Sequence, residues 1–242
     1  MGHALRTGFF EKPPAFDYTG LMGELTLFID LDDTLYPADS GVWQDIRNRI
    51  DLYMRDVLGI PAAEVNALRQ DLFARYGTTL RGLEASMQVD TADYLRFVHD
   101  VPLSRYLTPN PELRQILSGY PARKFIFTNG DRQHALRVLE VLELSDIFDG
   151  IIDITMLSPY CKPMPEAFDM ALKFAGNPQA QQCVFIDDAP RNLIAAHSRQ
   201  FQTILVGPAD LAPPFAPAIP RLADLPRVLP VNGGQIVEGL HE

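Results

Sequence analysis

The chain has 242 residues, 47% of them hydrophobic and 21% charged, with a formal net charge of −10. That length and balance suffice to bury a core, as one domain with an insertion or as two small domains. The acidic excess argues against a nucleic-acid polymer or an anionic membrane as partner, since both need a basic surface, so any anionic substrate is expected to be small and held locally by a few cations.

Residues 1–23 include Pro13 and Pro14, show no sustained period and read as an N-terminal arm. The stretch LFIDLDDTLY at 27–36 then sets the organisation of the chain. Its apolar run reads as a buried parallel strand, and side-chain alternation sends Asp30 and Asp32 to one side while Leu31 turns back to the core. Two acids facing one cavity suit phosphoryl transfer. One carboxylate can attack phosphorus, and the other can protonate the leaving oxygen and later activate water. Carboxylates and a phosphate in one pocket repel one another, which calls for a hard cation with oxygen ligands, Mg2+. A proton donor working near neutrality would need its pKa raised, so the Asp32 carboxyl is expected to lie above its ordinary value.

From Asp39 to Gly59 the apolar residues recur at spacings of three and four, which predicts a helix. A second runs from Pro61 to Tyr76 and stops at Gly77, and a third starts after Asp90. Residues 77–82 read as a loop between helices. Residues 38–105 are therefore expected to form a helical cap inserted after the first strand, at the strand end where open α/β sheets bind ligands. Arg81 in that loop reads either as a substrate contact or as a solvated surface cation.

A helix follows Pro111, and Lys124–Phe127 forms the second strand. It ends in Thr128 and Asn129 before another helix, a turn that can hold a phosphate oxygen. A short third strand is expected at 151–154. Lys162, just ahead of a helix opened by Pro165, could offset negative charge on a nucleophile and a phosphate. The fourth strand, Cys183–Ile186, ends in Asp187 and Asp188, and the fifth spans 203–206. A doubly wound, mainly parallel sheet of order 5-4-1-2-3 makes the first and fourth strands neighbours and gathers their acids at the switch point. Residues 208–230 contain seven of the 20 prolines and are expected to be extended, tied down by Leu222, Leu225, Val228 and Leu229. Residues from Asn232 on are expected to be mobile.

Cys161 and Cys183, the only cysteines, match no zinc spacing and no disulfide framework, and read as buried or idle thiols of a reducing compartment. Neither a signal peptide nor an apolar run of about 18 residues is present, which points to a soluble, cytoplasmic protein.

Jointly, Asp30-x-Asp32-x-Thr34, Thr128, Lys162 and Asp187–Asp188 with Asn192 resemble the four motifs of the haloacid dehalogenase-like phosphohydrolases, over nearly all of residues 25–207. The resemblance implies a Rossmann-like core at 24–37 and 106–207, the cap at 38–105 and a C-terminal tail at 208–242. It implies Asp30 as nucleophile, Asp32 as acid/base, Thr128 and its neighbour Asn129 as phosphate ligands, and Lys162 as charge stabiliser. Mg2+ would be held by Asp30, by the Asp32 carbonyl and by Asp188, with Asp187 acting through water. The stretches FIDLDDTLYP, YGTTLRGL, TNGDRQHALRVLEVLELSDIFDG and CKPMPEAF resemble the pyrimidine 5′-nucleotidase group, which implies UMP or CMP as substrate. Tyr36, Thr79, Arg81 and Arg132 are then candidate contacts to base, ribose or phosphate. A phosphatase for another small ester, such as a sugar phosphate, is the alternative. A non-catalytic binding module that kept the fold is a more distant one. Dehalogenation is disfavoured because it needs no acid two residues beyond the nucleophile.

Overall fold

The sheet is built from short apolar runs that alternate between two cores. The computed structural model describes residues 25–231, so the expected N-terminal arm and the segment from Asn232 lie outside the described residues. Strands β1 (Thr26–Ile29), β2 (Arg123–Phe127), β3 (Gly150–Ile152), β4 (Cys183–Asp187), β5 (Gln202–Val206) and β6 (Ala218–Ile219) lie in the order β3-β2-β1-β4-β5-β6, every pair parallel. The first five follow the expected order, and β1 lies between β2 and β4 with Ile29 level with both Ile126 and Ile186. Leu27, Ile29, Ile126, Val184, Ile186 and Ile204 point into one core, while Phe28, Phe125, Phe127, Phe185 and Leu205 point into the other. This is the period of two expected of strands covered on both faces.

Between β1 and β2 the chain is helical. Helix α1 (Val42–Leu52) runs into a wider turn at Tyr53–Val57, followed by α2 (Ala62–Tyr76), α3 (Thr79–Ser86) and α4 (Thr91–Val98). Helices α5 (Pro111–Ser118), α6 (Arg132–Val141), α7 (Pro165–Phe174) and α8 (Pro190–Ser198) connect or follow the remaining strands. Short polar side chains start four of the helices: Thr78, Asp90, Asn110 and Asp131 accept from the backbone N–H three residues on.

Two expectations need correction. Residues 79–86 are a helix, not part of a loop, and Gly82 inside it is a packing residue. A Cβ there would stand 2.6 Å from the Leu72 Cβ, so its absence lets α3 lie directly against α2. The Pro-rich tail is not simply extended. Ala218–Ile219 adds a sixth strand beside β5, and Leu222–Arg227 forms a tight helical segment with Pro226 inside it. Leu222, Leu225 and Leu229 are buried and anchor the tail as expected. Both cysteines are unpaired and buried. No helix among the described residues is long and apolar enough to cross a membrane.

In an open helix, Gly82→Ala would stabilise by about 1 kcal/mol through helix propensity. Here the crowding against Leu72 dominates, and the substitution is expected to destabilise the fold by about 1–3 kcal/mol in a denaturant titration. Unchanged or raised stability would contradict the packing.

Candidate active site

Three strand ends and one loop meet beyond the carboxyl edge of the sheet. Asp30 follows β1 and stays in its ladder, donating its N–H to the Ile186 carbonyl at 2.9 Å. Asp187 ends β4 and Asp188 follows it. Lys162 arrives from the loop before α7, and its ammonium lies 2.7 Å from Asp30 Oδ1 and 2.8 Å from Asp187 Oδ2 with 1% of the side chain exposed. It also sits 5.3 Å above the ring centres of both Phe127 and Phe185. Burial pulls the lysine pKa down, but Asp187 and Asp30 outweigh it and the net direction is upward. The Lys162 backbone is fixed too: its N–H donates to Asn129 Oδ1, and Asn129 Nδ2 donates back to the Lys162 carbonyl, both at 2.9 Å.

Asp30, Asp187 and Asp188 bring carboxylate oxygens within 4.8 Å of one another. Burial raises the Asp30 carboxyl well above its ordinary value; Lys162 opposes this, and Asp187 and Asp188 add to it. Burial, with Asp187, lifts Asp188 to about 6. Asp33 rises to about 7 through burial and then the charges of Asp188 and Asp32. Asp33 Oδ1 and Asn192 Oδ1 are buried acceptors that receive no hydrogen bond among the described residues. A set of crowded, all-oxygen acceptors with orphaned lone pairs fits a hard divalent cation. Asp187 itself is fully buried. Its Oδ2 faces Lys162, and its Oδ1 accepts from the Ala189 N–H at 2.8 Å and from Asn192 Nδ2 at 3.0 Å.

Asp32 does not have the raised pKa expected from its position. Burial does push it up, yet the charge of His134 and the hydrogen bonds from His134 and Tyr36 prevail and hold it at about 2. His134 Nε2 stands 2.7 Å from Asp32 Oδ1, and the Tyr36 hydroxyl donates to the same oxygen. Tyr36 is buried, supports Asp32 and does not line the cavity that the acids floor.

The acids floor a cavity of about 350 Å³. Thr128, Asn129, Gly130 and Lys162 line its base, and Thr128 Oγ1 accepts from the Gly130 N–H at 2.8 Å. Its upper walls come from the inserted helices: Trp43, Ile46, Arg47 and Ile50 of α1, Arg69, Gln70 and Phe73 of α2, and Tyr94, Leu95 and Val98 of α4. Thr79 lines the cavity, whereas Arg81 and Arg132 do not. Arg81 is buried. It pairs with Glu84 at 2.6 Å and donates to the carbonyls of Ile154 and Tyr160, so it fastens α3 to the sheet side of the site. Arg132, on the first turn of α6, is exposed along a neighbouring groove.

Sequence reasoning missed three residues of interest. Arg47 is half-buried, lines the cavity and has no hydrogen bond or ion pair among the described residues, while Arg69 is held by Asp51 at 2.6 Å and Arg191 donates to the Gly77 carbonyl at 2.9 Å. The spacing Trp43–Arg47 on one helix face was its available signal. The other two are His99 and His134, whose rings stack with centres 4.4 Å apart. For His134 the signal was its place in the buried stripe Ala135, Val138, Leu139.

Acids at the switch point of a parallel sheet, a buried lysine and a roofed cavity define a ligand site of the doubly wound α/β class. Residues 25–198 match the haloacid dehalogenase-like hydrolases, and the chain belongs to that family. It is similar to phosphate metabolism protein 8 of Saccharomyces cerevisiae, 30% identical over 185 residues, which is 71% of this chain and 58% of that protein. The chain thus spans little more than half the length of this relative. Among solved structures it resembles the HAD-hydrolase YfnB of Bacillus subtilis bound to magnesium (TM-score 0.59, 20% identity, 85% of this chain and 98% of that chain). It also resembles a predicted phosphoglycolate phosphatase of Haemophilus somnus (TM-score 0.56, 19% identity, 86% and 98%) and an L-2-haloacid dehalogenase of Xanthobacter autotrophicus (TM-score 0.52, 19% identity, 84% and 97%). At these identities the structural likeness is one of fold.

Because Asp188 titrates near 6 when folded and near ~3.9 when unfolded, its contribution to stability is full below the lower value and is lost as pH rises through the higher one. As pH rises through 6 the metal-free site gains the charge of Asp188, which burial and Asp187 disfavour, and a bound cation relieves that cost. A saturating divalent cation is expected to raise Tm more at pH 7.5 than at pH 5, read by differential scanning fluorimetry. Equal shifts at both pH values would contradict the site.

Proposed function

We propose that the protein is a Mg2+-dependent phosphomonoester hydrolase working through an aspartyl-phosphate, and that its substrate is a pyrimidine nucleoside monophosphate. The observation that carries the reaction type is the Lys162 ammonium held between Asp30 and Asp187 beneath a cavity of about 350 Å³. A lysine so placed neutralises a nucleophilic carboxylate and an incoming phosphoryl group together, and it also fixes the attacking oxygen in orientation.

Asp30 attacks phosphorus and the ester P–O bond breaks. Asp32, held at about 2, is ionised before the ester binds, so it takes up the proton that the phosphate monoanion brings and passes it to the leaving oxygen, its other oxygen staying tied to His134. A water then gives its proton back to Asp32 and attacks phosphorus, the acyl-phosphate bond breaks, and inorganic phosphate leaves with Asp30 restored. Thr128 and the N–H groups of the turn after β2 receive phosphoryl oxygens. Asp30, Asp188 and the Asp32 carbonyl would hold Mg2+, with Asp187 behind them through water. The cation would supply the positive charge that lets a phosphate dianion approach ionised acids.

Residues 38–105 act in this reading as a cap on the core formed by 24–37 and 106–207. The support for a nucleotide lies in the walls this cap contributes: the aromatic faces of Trp43 and Phe73 suit a planar base, and Arg47 and Gln70 offer donors to its carbonyl groups. The relative named for phosphate metabolism favours phosphoryl transfer over dehalogenation.

Phosphate release from a panel of nucleoside monophosphates and sugar phosphates, with Mg2+ and with chelator, tests both levels. Metal-dependent preference for UMP and CMP is expected. Preference for a sugar phosphate would keep the reaction type and discard the nucleotide, and inertness toward every ester would discard both. Asp30→Asn is expected to lower kcat by about three orders of magnitude or more with the fold retained. Arg47→Ala is expected to raise KM for UMP about tenfold at nearly unchanged kcat, the signature of a lost charged hydrogen bond to substrate.

A further inference from the structure

The acid/base carboxylate has two oxygens, and the fold treats them differently. Oδ1 of Asp32 accepts from two buried side chains, His134 through Nε2 at 2.7 Å and Tyr36 through its hydroxyl. Because a carboxylate oxygen can only accept, the proton of the first bond sits on Nε2. Oδ2 accepts no hydrogen bond among the described residues. It lies beside the turn after β2, where a Cβ on Gly130 would stand 3.6 Å from it.

The clamp is itself built. His134 is fully buried at the start of α6, and its own N–H is held by Asp131 Oδ1 at 2.6 Å. The other oxygen of Asp131 lies 3.2 Å from Nδ1 of His99, whose ring stacks on His134 at 11° between planes. Arg137 donates to the His99 carbonyl and fixes that segment in turn. Nothing in hydrolysis of an ester requires a buried imidazole pair at this place, and His134 Nδ1 has no hydrogen-bond partner among the described residues. Such an arrangement persists only if the bond made by Nε2 is worth the orphaned nitrogen.

We propose that His134 and Tyr36 are positioning residues that clamp one oxygen of Asp32 and thereby aim the other at the leaving oxygen of the bound ester, with His99 and Asp131 holding the clamp. This rests on the reading of Asp32 as acid/base. Neither residue touches substrate in this arrangement, so the effect is on the bond-breaking step and not on binding. A carboxyl group free to rotate would spend less time with its proton in line with the leaving oxygen, and an alkyl leaving group, which is strongly basic, needs that proton most.

The test compares kcat/KM, which reports events up to leaving-group departure, for UMP and for 4-nitrophenyl phosphate, whose phenolate leaves without a proton. Should UMP prove a poor substrate, the best alkyl ester of the panel takes its place. His134→Asn, too short to reach Asp32, is expected to lower kcat/KM for UMP about 100-fold, and Tyr36→Phe about tenfold, with less than a threefold loss for 4-nitrophenyl phosphate. His134→Gln, whose amide nitrogen can take the place of Nε2, is expected to recover much of the loss. The concentration of Mg2+ giving half-maximal rate is expected to stay within twofold. Equal losses on both esters, or none on UMP in Tyr36→Phe and His134→Asn alike, would overturn the proposal. Tyr36→Phe keeps the test open if His134→Asn fails to fold, since it deletes a single hydroxyl. Asp32→Asn separates the two levels. If it loses UMP turnover while the clamp variants do not, only the clamp is wrong; if it too turns over UMP normally, the acid/base reading falls with it.

Discussion

The ammonium of Lys162 is buried between two carboxylates, and most of the surrounding architecture is arranged so that it can stay there. A charge taken out of water is tolerated only when its partners are close and themselves hydrogen-bonded, and removing one partner of such a pair typically costs about 3–5 kcal/mol. Asp30 comes from the central strand β1 and Asp187 from its neighbour β4, so the parallel pairing of these strands sets the distance between them. Asn192 and the Ala189 N–H satisfy the rest of Asp187, and Asn129 holds the lysine backbone from β2. Three strand ends therefore converge on one side chain.

The inserted helices are tied to the same point. At Gly77, between α2 and α3, a Cβ would stand 2.9 Å from Cys161 Sγ and 3.1 Å from the Lys162 carbonyl, so the loop that roofs the cavity approaches the lysine loop as closely as backbone allows. Gly77 also has φ of 83°, a conformation that costs glycine little. Cys161 donates to the Tyr76 carbonyl, Arg191 to that of Gly77, and Arg81 reaches across to Ile154 and Tyr160. The guanidinium of Arg191 lies 3.7 Å from the ring centre of Phe73. The walls that meet a leaving group and the floor that meets its phosphate are thus parts of one hydrogen-bonded unit.

The sheet was legible because its signals are local. Apolar runs ending in Asp30, Thr128 and Asp187 each announce a strand and the ligand-facing end of it, and the fold class follows from their order. The helix over 79–86 was hidden by Gly77, two threonines and Gly82, which read as loop chemistry; the glycine is there for contact with Leu72, a tertiary fact that no local pattern carries. Arg81 and Tyr36 drew attention as polar residues near the motifs, but their partners are Ile154, Tyr160 and Asp32, and burial turned both inward. The pKa of Asp32 failed for the same reason. The expectation came from what a proton donor would need, whereas the pKa is set mainly by His134, which lies 102 residues away and reverses the sign.

The central claim is that Asp30 carries the phosphoryl group between the two halves of the reaction. The direct measurement is to quench the enzyme during turnover of UMP or the best ester of the panel, reduce it with borohydride, and map the modified position by peptide mass spectrometry. Borohydride converts an aspartyl-phosphate to homoserine, and the account predicts homoserine at position 30 and at no other aspartate. Homoserine at a different aspartate, or none at all from an enzyme caught in steady turnover, would contradict it.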